Sequence, residues 1–298
     1  MKNWLFVTLV VLLLASLVLL VYAPLMFSPA PPSSLTDHPA DTVRLGIEGT
    51  LTFCSDICPP YVTPPDGPPR GYAVDLLQAI YEPAGYTVKL VVTPWSRCLQ
   101  EVQQGHISGV IGTDPDEAPE LTFPSEDVGI YRPRFITLRD SQWTYRGLSS
   151  LREVRLGVIQ GYSYAPDLDH YIQQQAQSER ILFSKGESPH EHLFDALNKG
   201  KIDVFIENLQ THEAFVRLRS SGNDLLRIAG ALPFAHSLFV AFNPQAAVRN
   251  DLTMRYDRRI TKLRRDGALD NLLARYKLRD WQADTTQTSP TSLTEEHR

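Results

Sequence analysis

Gly71-Tyr72-Ala73-Val74-Asp75-Leu76-Leu77-Gln78-Ala79-Ile80 is the stretch on which the fold turns. A Gly-Tyr turn leads into a segment with Val74, Leu77 and Ile80 along one side and Leu76 and Ala79 beside them. That spacing of three and four predicts an amphipathic helix over 72–81. Thr87–Val92 alternates and predicts a strand, Arg97–Gln104 a short helix, and Gly109–Gly112 a buried strand. Upstream, Val43–Ile47 reads as a first strand and Leu51–Cys54 as a second strand or hairpin arm, followed by a proline-dense loop at Pro59–Pro69.

The same alternation continues downstream. Strands are predicted near Phe135–Leu138 and at Val154–Ile159, Ile181–Phe183, Ile202–Ile206 and Ser237–Phe242. Helices are predicted at Ala165–Gln177, Glu191–Asn198 and, as one long region, Arg249–Tyr276. Strand and helix in turn imply an α/β chain with largely parallel sheets.

The 298 residues suffice for about two domains at ~100–200 residues each. A net charge of −5 argues against nucleic-acid binding, which usually needs a basic face, so no nucleic-acid partner is expected. Trp4–Phe27 carries no charge, and its core Leu5–Ala23 would span roughly 28 Å as a helix, close to a bilayer's hydrocarbon thickness. The run is longer than the apolar region of a cleaved signal peptide. Its small-residue sites, Val21-Tyr22-Ala23 and Ser28-Pro29-Ala30, are each followed by proline. Residues 1–28 therefore read as a signal anchor rather than a cleaved signal, residues 29–42 as a Pro/Ser-rich linker, and residues 283–298 as a disordered tail. Either reading of the apolar run exports the rest. Cys54, Cys58 and Cys98 suit an oxidising compartment, with one disulfide and one free thiol as the simplest arithmetic. His190-Glu191-His192 invites a metal reading, but adjacent residues do not share a helical face. No metal or other cofactor is expected.

Taken in order, Pro59–Tyr61, Gly71–Asp75, Pro94–Arg97, Gly112–Ser125, Gly157–Tyr164, Gly200–Val204 and Leu273–Leu278 resemble family 3 extracellular solute-binding proteins, polar-amino-acid type, over residues 43–281. The resemblance implies a two-lobed, type II periplasmic-binding-protein-like fold: lobe 1 over 43–135, lobe 2 over 136–236, and a return to lobe 1 over 237–282. It implies a periplasmic protein, held at the inner membrane by its N-terminal helix, that hands a small-molecule ligand to an ABC-type transporter permease or to a separate sensor. It also places the Pro59–Tyr61 loop and the Pro94–Arg97 turn together at the ligand edge of lobe 1. On that placement the expected disulfide joins Cys58 to Cys98, with Cys54–Cys58 as the runner-up.

Ligands of open α/β sheets sit at the carboxyl ends of strands. On that rule the candidate ligand-binding residues are Tyr61, Trp95, Arg97, Thr113, Glu117, Gly161, Tyr162, Ser163 and Asn208. Tyr61 and Trp95 could sandwich part of a ligand. The Gly161–Ser163 turn opens a helix whose free N–H groups suit an anion. Asp75 and Asp203 read as structural. Two departures from the family pattern stand out. No Arg precedes Phe123 in Asp114–Pro119, where amino-acid binders grip the ligand carboxylate. Asn208, beside Glu207, stands where they hold the ligand amine. The ligand is expected to be small and polar, anionic or amino-acid-like, with Arg97 and Ser163 gripping its anion. The alternative is a lyase or dehydratase of small carboxylates on the same fold, with Asp116 and Glu117 moving protons. Binding, without catalytic residues, is the preferred reading.

Overall fold

The structure, a computed structural model, describes residues 49–65, 69–218, 225–233 and 235–285. The expected membrane segment, the linker, the Val43–Ile47 strand and most of the tail lie outside the described residues. Among the described residues no helix is long and apolar enough to cross a membrane.

Two sheets of five strands carry the fold. The first is ordered β2-β1-β3-β10-β4, from β1 (Thr50–Ser55), β2 (Thr87–Val92), β3 (Gly109–Thr113), β4 (Gly129–Tyr131) and β10 (His236–Phe242). The second is ordered β7-β6-β8-β5-β9, from β5 (Pro133–Leu138), β6 (Leu156–Ile159), β7 (Ile181–Ser184), β8 (Val204–Asn208) and β9 (Leu226–Ala231). The two repeat one plan. β1 runs parallel to β2 and β3 as β6 does to β7 and β8. The strands at the crossings, β4, β5, β9 and β10, pair antiparallel. The chain leaves the first sheet at Arg132, so Pro133–Phe135, assigned to lobe 1 from the sequence, already belongs to the second. It returns between Ala231 and His236.

Helix α1 (Tyr72–Tyr81) starts and ends where the apolar spacing puts it. Its buried side packs with Phe53 and Phe242, whose rings lie 5.8 Å apart, and with Tyr256 of the C-terminal helices. The start is held by Gly71, whose φ of 103° and close approach to the Tyr61 carbonyl leave no room for a Cβ. On the other face of the sheet lies α2 (Trp95–Gln103), which buries Trp95, Cys98 and Val102 at helical spacing. Alternation along β1 sends Leu51 and Phe53 to the α1 side and Cys54 to the α2 side. That geometry decides the disulfide: Cys54 bonds Cys98 with their Cα atoms 5.6 Å apart, and Cys58 is the free thiol. The expected Cys58–Cys98 pairing and its runner-up are both corrected. Cys58 lies past the end of the strand, on the loop toward the cleft, within 3.7 Å of the Ser55 hydroxyl.

In the second lobe, α3 (Pro166–Gln175) packs Leu168 and Ile172 against one sheet face. On the other face, α4 (Pro189–Asn198) packs Leu193 and Leu197. Helix α5 (Leu209–Leu218) follows β8 directly. The single C-terminal helical region expected over 249–276 is three helices: α6 (Pro244–Asn250), α7 (Leu252–Arg265) and α8 (Ala268–Ala274). They are separated by left-handed residues, Asp251 at φ 56° and Gly267 at φ 71°. The Asn243 carboxamide caps α6 by accepting from the N–H groups of Gln245 and Ala246. A short α9 (Trp281–Thr285) closes the described chain. Asp75 and Asp203 are structural: Tyr276 donates to the first at 2.7 Å, and Arg155 grips the second with backbone and guanidinium.

Candidate functional site

The carboxyl ends of the parallel strands of both sheets face one another across a small cavity of about 50 Å³. Ser55 ends β1, Trp95 follows β2, and Asp114 and Glu117 follow β3. From the second lobe come Tyr162 and Ser163 after β6, His190 at the start of α4, and Glu207 and Asn208 at the end of β8. Tyr61, Tyr131 and His236 also belong to the wall.

Glu117 is the centre of one network. It accepts from Trp95 Nε1 and from Thr113 Oγ1, each at 2.9 Å. Burial pushes its carboxyl up to about 7, although these bonds and the Ser163 backbone N–H of the opposite lobe favour the charged form. A second network is built on Asp56. It lies just behind the wall, is 1% exposed, and accepts the Tyr162 hydroxyl at 3.0 Å to each oxygen. Burial raises Asp56 to about 6, while the His190 charge and the Tyr162 bond hold it back. His190 Nδ1 pairs with Glu207 in a very short hydrogen bond. Burial works against the imidazolium, but the Glu207 charge and bond, with Asp56, raise His190 above its ordinary value. Glu207 also accepts the Asn208 backbone N–H at 2.7 Å. Asp114 accepts from His236 at 3.3 Å and from the N–H groups of Asp116 and Glu117. These bonds overcome burial and hold its carboxyl below the usual range.

Residues 51–118, which run from β1 through Glu117, match the family model for bacterial extracellular solute-binding proteins, family 3. The resemblance to family 3 is thereby borne out. Solved structures with similar folds include the P235GK mutant of ArgBP from T. maritima, at 16% identity and a TM-score of 0.65, covering 78% of this chain and 97% of that one. They include AbpA from Streptococcus pneumoniae bound to L-arginine, at 19% identity and 0.62, covering 76% and 94%. A histidine kinase sensor domain with similarity to periplasmic binding proteins matches at 20% identity and 0.62, covering 77% and 96%. The type II periplasmic-binding-protein-like fold is shared with all three. No curated protein sequence matches.

Most residues singled out from the sequence gather at this cleft. Tyr61 is 3% exposed, donates to the Ile130 carbonyl at 3.3 Å and accepts from Asn208 Nδ2 at 3.1 Å, so it ties the two lobes together. Trp95, Glu117, Tyr162, Ser163 and Asn208 line the cavity, and Thr113 lies beneath Glu117. Gly161, at φ 89°, lets the turn pass close to Ser96 and Trp95. The Ser163 hydroxyl is committed to Asp169 at 2.9 Å and does not serve the cleft.

Arg97 is the correction. Its side chain is 70% exposed on the outer face of α2, 3.6 Å from Glu101 one turn on. Trp95, Cys98 and Val102 take the inward positions of that helix, which leaves Arg97 facing solvent. Among the described residues no Lys or Arg lines the cavity, so of the anion grip expected from Arg97 and Ser163 only Ser163 is there, with its hydroxyl turned to Asp169.

Asp56, His190, Tyr131 and His236 are not among the ligand-binding candidates that the sequence suggests. Asp56 was reachable, because it follows the last residue of β1, where the strand-end rule applies. His190 was read only as half of a metal motif. The fold sends it inward, while His192 points outward to the Lys185 carbonyl.

Proposed function

We propose that this chain is a jaw-type solute-binding protein that captures a small polar, amino-acid-like ligand between its lobes. It presents that ligand, outside the cytoplasm, to an ABC-type permease or to a separate sensor. The observation that carries the reading is the convergence of both sets of strand ends on one small cavity lined by polar and aromatic side chains. The family 3 match over the first lobe and the similar folds, which include arginine-bound proteins and a sensor domain, support it. The uncharged run at residues 4–27 suits a tether to the membrane, close to either partner.

The dehydratase alternative loses its acid pair. Asp116 is exposed on its turn, while Glu117 is turned inward to Trp95 and Thr113. The test is a screen of amino acids, amines, small peptides and small carboxylates against the purified chain. Trp95 fluorescence and small-angle scattering follow closure, and NMR follows the solute. Compaction with the solute unchanged supports capture. Turnover of the solute would replace it with catalysis.

A further inference from the structure

Resting on the solute-binding reading, we propose that the cleft selects cationic amines or guanidines that carry no carboxylate, because Glu117 occupies the place where a ligand anion would be held. The wall carries three carboxyl groups, on Asp114, Glu117 and Glu207, with Asp56 directly behind it. Among the described residues no lysine or arginine lines it. Its two imidazoles are already engaged, His190 with Glu207 and His236 with Asp114.

Several of the wall's donors are committed as well. Trp95 Nε1 and the Thr113 hydroxyl both donate to Glu117, and the Ser163 N–H favours its charged form. The Tyr162 hydroxyl serves Asp56, and the Asn208 amide serves Tyr61. A ligand carboxylate placed here would be buried beside Asp114, Glu117 and Glu207 with no lysine or arginine of the described lining to meet it, an unfavourable arrangement. A cation meets the opposite. It finds carboxylates on both lobes and the rings of Tyr61, Trp95, Tyr131 and Tyr162 around it. Two buried wall atoms without a hydrogen-bond partner, Tyr131 Oη and His190 Nε2, are left for a neutral polar group on the same ligand.

The experiment is isothermal titration of the purified chain with pairs that differ only by a carboxylate: agmatine against arginine, cadaverine against lysine, ethanolamine against serine. The decarboxylated member of at least one pair should bind about tenfold tighter or more. Glu117→Gln should narrow that preference, with Asp114→Asn as a second variant and melting curves to show that each is folded. A tighter zwitterion would overturn the ligand class and leave solute capture standing. An unchanged preference in folded Glu117→Gln would remove Glu117 from selection. Heat from neither member of any pair would overturn the amine assignment, and solute capture would then rest on the compaction screen alone.

Discussion

Tyr162, at the tip of β6 in the second lobe, donates its hydroxyl to Asp56, at the end of β1 in the first, with both carboxylate oxygens at 3.0 Å. The same ring meets Trp95 edge-on at 5.5 Å and stands 6.2 Å from His190. One side chain therefore links the acidic networks of both lobes and helps hold the jaw shut. Tyr162→Phe keeps the ring and removes the bond, leaving a buried carboxyl short of a donor. The expected cost is about 1–3 kcal/mol in denaturant unfolding. An unchanged midpoint would show that the contact contributes nothing.

Covalent closure of the first lobe is the second expectation. Peptide mapping without reduction should recover Cys54 joined to Cys98 and Cys58 as a free thiol. Because the bridge closes a loop with a sequence separation of 44, replacing both partners by alanine should lower stability by about 2–4 kcal/mol. Cys58→Ser should leave the bridge intact. Recovery of a Cys58–Cys98 peptide would overturn the assignment.

How far the sequence could be read depended on whether local pattern or distant contact sets the outcome. The helix over 72–81 and the strand over 87–92 were legible because their apolar spacing is their packing: each faces one core. Which of the three cysteines pair was not legible, because it depends on the face of β1 that each occupies relative to α2. Arg97 failed for a related reason. Its place next to Pro-Trp suggested the cleft, but Trp95 and Cys98 claim the inward positions of the helix. The short β4 and the edge strand β9 carry little pattern of their own, and partners far along the chain define them. Asp251, a non-glycine residue in a left-handed conformation, left no sign of the break it makes between α6 and α7.

Gly71 links the start of α1 to the Tyr61 loop. A Cβ there would lie 2.2 Å from the Tyr61 carbonyl oxygen, on a backbone with φ at 103°. Both the strain and the clash fall on backbone, which cannot rotate away. Gly71→Ala should therefore cost at least about 2 kcal/mol in thermal or denaturant melts. It should also loosen Tyr61, which would show in the exchange of the Ala73 amide that donates to its carbonyl at 3.2 Å. Gly85→Ala provides the contrast. Its φ is 89°, but nothing lies within 4 Å of its Cβ, so it should pay for strain without the clash. Equal losses at the two sites would discard the close-approach argument.

The cleft also sets a pH dependence. Asp56 and Glu117 sit at about 6 and about 7 in the folded chain, against 3.8 and 4.5 ordinarily, with burial as the main cause. Between those values the folded state holds protons that the unfolded chain has released, so the stability they contribute declines as pH rises through the window. His190 is raised too, by Glu207 and Asp56 against its burial. Its contribution is full below its ordinary value of 6.5 and is lost as pH rises through the folded one. All three groups slope the same way. Asp114, lowered by His236 and two N–H groups despite its burial, acts oppositely, but only below its ordinary 3.8. Without ligand, the melting temperature should therefore fall as pH is taken from about 5 to about 8. Glu117→Gln, which cannot titrate, should flatten the upper part of that slope, and Asp56→Asn the lower part. Calorimetry of the three proteins across the range decides it: a wild-type melting temperature that rises with pH would mean that these carboxyls are not buried as the closed cleft has them.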